Sequence, residues 1–182
     1  MFDRQPQRST AAAGFTLIET CIALTIAALM TGIASAGFST VLERQRLRGT
    51  AAALASDLQW LRSQAVARNE ALRLSLHNTP VGICTIVHTG QRDDCRCAGS
   101  GPAVCDGSAQ ALKTSHWPLR ERISVQSNVS SMLFDPDQGT VSPAGSIRIV
   151  DSRGLGITHV VNVVGRVRSC SPSAAVAGFA AC

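Results

Sequence analysis

Gly14-Phe15-Thr16-Leu17-Ile18-Glu19, together with the apolar run that follows it to Leu42, decides how the rest of this 182-residue chain is read. From Thr20 to Leu42 there are 23 residues without a charged side chain, and about 20 suffice for a helix to cross a bilayer core. Residues 15–42 are therefore expected to form a transmembrane helix. Glu19 stands at its head as the one carboxylate. A carboxylate is costly in lipid unless something neutralises it, which makes Glu19 a functional candidate. The plainer alternative is a side chain that snorkels to the membrane edge. Residues 1–14 form a short polar leader with Arg4 and Arg8 against Asp3.

Two readings of that leader compete. Basic residues before an apolar run resemble a secretory signal peptide. Ala34-Ser35-Ala36 offers it a cleavage site. The product would be a soluble, secreted, disulfide-bonded protein cut after Ala36. Alternatively, Gly14-Phe15-Thr16-Leu17-Ile18-Glu19 resembles the class III leader of type IV pilins and type II secretion pseudopilins. That resemblance implies cleavage by a prepilin peptidase between Gly14 and Phe15, and N-methylation of the new Phe15 amine. It also implies that Glu19 pairs with the amino terminus of a neighbouring subunit, an attraction strong enough in low dielectric to set filament register. Two observations favour the pilin-like leader. A signal peptide gains nothing from Glu19, because burial disfavours its charge. The helical pattern also continues well past Ala36.

After the polar Glu43-Arg44-Gln45-Arg46, the residues Leu47, Ala51, Leu54, Leu58, Leu61 and Ala65 recur at spacings of three and four, one stripe of an amphipathic helix. A single helix is expected from about Phe15 to Arg68, with 43–69 as its amphipathic half and Asn69 as its stop. The period then changes. Leu72, Leu74 and Leu76 alternate with polar residues, and strands are expected there and over Val81–Val87, Ile123–Ser127, Ser146–Val150 and Ile157–Val164. Gln91 to Gln110 reads as a cysteine-stapled loop, and Phe134–Gly139 and Asp151–Gly154 read as turns. Helix first and strands afterwards is an α+β order, so 70–182 is expected to be a periplasmic β-domain.

Further motifs narrow the resemblance. Leu58-x-x-Leu61-Arg62-Ser63-Gln64-Ala65-x-x-Arg68-Asn69 is similar to the helix end of the FimT/FimU minor pilins and the GspH minor pseudopilins. Phe134-x-Pro136-x-x-Gly139, Gly145-x-Ile147 and Gly165-Arg166-Val167-Arg168 resemble the β-domain signature of that group. The resemblance implies the type IV pilin/pseudopilin fold, a long N-terminal helix packed on a small antiparallel β-sheet domain. Between Val81 and Trp117 the chain departs from it, with a cysteine-rich insertion in place of a tryptophan-rich strand. On an extended segment Arg166 and Arg168 project to one side, as a pair of guanidiniums suited to phosphate. In FimT-like pilins this arginine pair is associated with double-stranded DNA, bound through its backbone and weakened by salt. The alternative is that both arginines pair with Asp135, Asp151 or the chain terminus.

Composition sets outer bounds. The net charge is +5, and removing residues 1–14 takes away two arginines and one aspartate to leave +4. Lys113 is the sole lysine among seventeen basic residues, so the basic surface consists of planar bidentate donors. Five phenylalanines, two tryptophans and no tyrosine argue against a stacking platform for single strands. Cys21 lies in the apolar run. Cys84, Cys95, Cys97, Cys105, Cys170 and Cys182 form an even set downstream of an export segment, which reads as three disulfides in an oxidising compartment. Cys170 with Cys182 is read as a tail staple, with the other four paired among themselves. The spacing of Cys95, Cys97 and Cys105 does not fit paired zinc knuckles, so no metal and no cofactor is expected.

His77, His88, His116 and His159 lie in no Ser-His-Asp set, HExxH motif or glycine-rich phosphate loop. His159, in an apolar strand, reads as a packed residue. The chain is expected to perform no chemistry. The first functional reading is a minor type IV pilin, a structural subunit in pilus assembly or initiation with DNA binding in natural transformation. The alternative machine is type II secretion, with a GspH-like minor pseudopilin. Other pilins or pseudopilins, the prepilin peptidase, the inner membrane and double-stranded DNA are the expected partners. A single-pass inner-membrane protein with a periplasmic domain, incorporated into a pilus or pseudopilus, is the expected placement.

Overall fold

A computed structural model describes residues 14–172 and 175–182, without the side chains of 33–37. The chain divides into two compact units, Met1–Val41 and Leu42–Cys182, taken here one at a time.

In the first unit the described structure is helical. Helix α1 spans Leu17–Arg68 and so runs on into the second unit. Thr16 caps it, its hydroxyl accepting the Glu19 amide N–H at 3.3 Å. One correction follows here. Among the described residues no helix is long and apolar enough to cross a membrane. The expected transmembrane segment is overturned, and the single-pass inner-membrane placement falls with it. The Thr20, Thr25 and Thr31 hydroxyls donate to helix carbonyls at Leu17, Ile22 and Ala27, which satisfies them locally.

In the second unit the last turns of α1 pack on β-structure. Leu47, Ala51, Leu54, Leu58, Leu61 and Ala65 are each fully buried. The helix stops where Asn69 enters the left-handed region at φ 51°. The Glu70 amide bonds back to the Ala65 carbonyl at 3.1 Å and the Asn69 amide to the Val66 carbonyl at 3.2 Å, closing the orphaned carbonyls as a Schellman motif does.

Eleven strands are described: β1 Leu72–Thr79, β2 Gly82–His88, β3 Cys95–Cys97, β4 Ala103–Cys105, β5 Ala111–Pro118, β6 Ile123–Ser127, β7 Ser131–Phe134, β8 Val141–Ser142, β9 Gly145–Asp151, β10 Gly156–Val161 and β11 Val167–Cys170. They make two principal sheets, ordered β5-β2-β1-β7-β8 and β11-β10-β9-β6, and a separate ribbon of β3 and β4. Among the described residues these strands pair antiparallel. With α1 packed on them, they give the α+β order expected from the sequence, the antiparallel β-domain being divided into two sheets. Alternation explains the split core. In β9, Gly145, Ile147, Ile149 and Asp151 are buried while Ser146, Arg148 and Val150 are more open. The α1 stripe, Leu72, Leu74, Met132 and Phe134 of one sheet, and Val125, Ile147, Ile149, Ile157 and Val161 of the other form one apolar cluster.

Polar contacts also hold α1 to the sheets. Lys113 of β5 pairs with Asp57. Glu43 takes Arg153 at 3.1 Å and Arg122 at 3.5 Å.

Candidate functional site

The N-terminal motif is described from Gly14 onward, so the upstream side of the expected cut lies outside the described residues. Gly14, Phe15 and Glu19 are exposed, and Phe15 retains 81% of its accessible surface. Thr16-x-x-Glu19 is also the sequence of a capping box, a role the sequence reading missed. The structure shows the threonine half of that box. Among the described residues the Glu19 carboxylate makes no ion pair. At the third helical position its charge also opposes the helix dipole.

The second motif gathers three residues that lie far apart in sequence. The Arg62 Nε donates to the Gly139 carbonyl at 3.0 Å. A methyl group on Gly165 would sit 2.4 Å from the Gly139 oxygen and 2.7 Å from the Arg62 Nε. Gly165 also holds φ +74°, a conformation that penalises any side chain. Gly139 and Gly165 are thus small because the Arg62 guanidinium passes between the loops that carry them. Asn162 completes the turn, its Oδ1 accepting the Arg166 N–H at 2.8 Å.

Beyond this turn Arg166 and Arg168 are exposed, while Val167 between them is half-buried against the core. Arg168 lies opposite Val160 in the β10–β11 register. Neither arginine forms an ion pair among the described residues. The acids that could have taken them are occupied. The Asp135 Oδ1 accepts the Asp137 and Gln138 N–H groups. Asp151 accepts the Arg153 and Leu155 N–H groups and pairs with the Arg153 side chain.

The family described as "Type II transport protein GspH" matches residues 50–165, well over half of the chain. The chain belongs to the GspH family. Among solved structures, the type IV minor pilin FimU of Pseudomonas aeruginosa is similar in fold. One crystal form gives a TM-score of 0.52 at 19% identity, covering 71% of this chain and 95% of FimU. A second gives 0.50 at 17% identity, covering 69% and 97%. No curated protein matches the chain. As a pilin/pseudopilin-type member of this family the protein is structural and not an enzyme. The matched span begins inside the amphipathic half of α1 and ends at Gly165. It takes in Arg62, Gly139 and Gly165, and leaves out Glu19, Arg166 and Arg168.

The cysteines of this GspH-family chain pair as Cys84–Cys97, Cys95–Cys105 and Cys170–Cys182, with Cα separations of 6.5, 4.0 and 4.9 Å. Cys21 is free and exposed. No group of three or more potential metal ligands occurs among the described residues. Two histidines are structural. His159 is buried; its Nε2 lies 2.9 Å from the Ala51 carbonyl of α1 and its Nδ1 2.8 Å from the Ser169 hydroxyl. The ring can meet both as a neutral Nε2–H tautomer, donating to the carbonyl and accepting from the hydroxyl. His88 is equally buried, 2.9 Å from the Ser75 hydroxyl and 2.8 Å from the Thr89 carbonyl. Desolvation pushes both imidazoles below their ordinary pKa.

Proposed function

We propose that the chain is a minor pseudopilin of a type II secretion machine, a subunit that assembles beside other pilin-type subunits. The observation that carries this is the GspH match across 50–165, which favours the secretion machine over a type IV pilus. The FimU likeness supports the fold alone. Leader cleavage between Gly14 and Phe15 by a prepilin peptidase, and methylation of the Phe15 amine, belong to the same reading. Both residues are exposed and precede the first helical turn. Glu19 is assigned the amino terminus of a neighbouring subunit as its partner, in keeping with an exposed carboxylate that makes no ion pair among the described residues. Leu17, Ile18, Leu24, Leu29 and Met30 remain exposed on the chain, apolar surface that neighbouring subunits would bury at about 25 cal/mol per Å².

Co-expression of the full chain with a prepilin peptidase, followed by N-terminal sequencing and intact mass, tests the proposal. A chain beginning at methylated Phe15, and co-purifying with other pseudopilins, is expected. A chain beginning at Gly37 would instead be the secreted protein cut after Ala36.

A second reading has its own support. Arg166 and Arg168 are exposed and have no acidic partner among the described residues, so their guanidiniums are available to a DNA backbone. The double change Arg166→Ala, Arg168→Ala should abolish low-salt duplex binding; retention of that binding removes the reading.

A further inference from the structure

Two guanidiniums share the wall of one cavity, and among the described residues no carboxylate lines it with them. The cavity, about 480 Å³, lies between α1 and the turn before β11, lined by Gln59, Arg62, Val164, Gly165, Arg166 and Val167. Arg62 is anchored through its Nε to the Gly139 carbonyl, so its outer amines are held in place instead of sweeping through solvent. Neither Arg62 nor Arg166 makes an ion pair among the described residues. Like charges facing one cavity raise its potential, and an anion entering it relieves that. A guanidinium presents parallel N–H groups that match a carboxylate. The Gln59 amide adds a donor, while Val164 and Val167 offer apolar walls to a methylene stem. A cavity of this size takes a side chain or a short peptide, whereas a duplex would lie across its outside.

We infer that this groove binds a carboxylate side chain on an acidic peptide segment of a neighbouring subunit that is not a copy of this chain. The inference rests on the proposed role as an assembling subunit. A second copy is a poor donor. The chain has twelve acids against seventeen basic residues. Two like net-positive copies also repel each other.

Fluorescence anisotropy with the full chain and a labelled peptide of alternating glutamate and leucine tests the inference. The unaltered chain should bind this peptide and not its glutamine counterpart. Arg166→Ala should weaken binding about tenfold, the scale of one charge-assisted hydrogen bond. Gln59→Glu should do the same, because a glutamate three residues before Arg62 on one helix face competes for the guanidinium from within. Gln59 is exposed on α1, so that variant keeps the fold, as its melting temperature will show. Arg168→Ala, outside the groove lining, should leave peptide binding unchanged. Absence of binding by the unaltered chain, or unaltered binding by either groove variant, overturns the inference. So does a DNA duplex that displaces the peptide and depends equally on Arg168, since the site would then be one for nucleic acid. The subunit role fails by a different sign: no association with other pilin-type subunits, whatever the groove binds.

Discussion

Arg62 shows how one side chain explains two distant glycines. Its guanidinium occupies the space that a side chain at Gly165 would need. Gly165→Ala would combine a positive-φ penalty with overpacking against a backbone oxygen, each about 1–3 kcal/mol. We expect a loss of about 3 kcal/mol or more, read as a lower urea midpoint at unchanged slope; a midpoint equal to the parent's would contradict the cradle. The buried histidines give the residue scale its pH dependence. Both folded pKa values are depressed by desolvation, below an unfolded value of about 6.5. Above that pH neither state binds the proton and the histidines contribute nothing. As pH falls below it, the unfolded chain takes up protons that the fold refuses, so stability declines. Arg73 and His77 oppose protonation of His88 and Asp94 favours it, all more weakly than desolvation. Urea unfolding at pH 7.5 and 5.5 should show the loss, and His159→Gln should reduce the difference. Equal stability at both pH values would contradict the burial argument.

At the scale of elements, the cysteine-rich insertion covers an edge. Strand β5 ends its sheet, and an open edge invites pairing with another chain. The ribbon of β3 and β4 lies beside it. The Ala103 amide donates to the Thr114 hydroxyl at 3.3 Å, and His116 meets the Gly101 carbonyl at 2.8 Å. The tail does comparable work beside β11. The Ser171 amide bonds the Ala180 carbonyl, Val176 enters the core, and Cys182 is tied to Cys170. Replacing Cys170 and Cys182 by serine should cost about 2–4 kcal/mol and open the tail to proteolysis; a variant as protease-resistant as the parent would show that the staple does not hold the tail. These elements also mark what sequence could show. The α1 stripe is legible because six small or leucine residues keep helical spacing and all six face the core. β5 is not, since Lys113 and His116 break its alternation while pairing with Asp57 and Gly101. Arg62, Gly139 and Gly165 each stand in a recognisable motif, yet spacing cannot show that a helix residue meets loops 77 residues and more away.

At the scale of the whole molecule, Glu19 carries two separable contributions. Within its own chain it follows Thr16 by three residues and opposes the helix dipole, a local effect of about 0.3–1 kcal/mol. Between chains, its proposed pairing with a neighbour's amino terminus depends on the full negative charge. The two respond differently to substitution. Glu19→Gln keeps a side chain accepted in capping boxes while removing the charge, whereas Glu19→Ala removes both. If charge pairing governs assembly, both variants should fail to co-purify with other pilin-type subunits, although Glu19→Gln retains the parent's helicity by circular dichroism. Should Glu19→Gln assemble as the parent does and only Glu19→Ala fail, the residue acts as a helix cap and the inter-subunit pairing is wrong. Raising salt adds an independent reading. A pair enclosed between packed helices is screened far less than an exposed one, so assembly through Glu19 should survive ionic strengths that would strip DNA from Arg166 and Arg168.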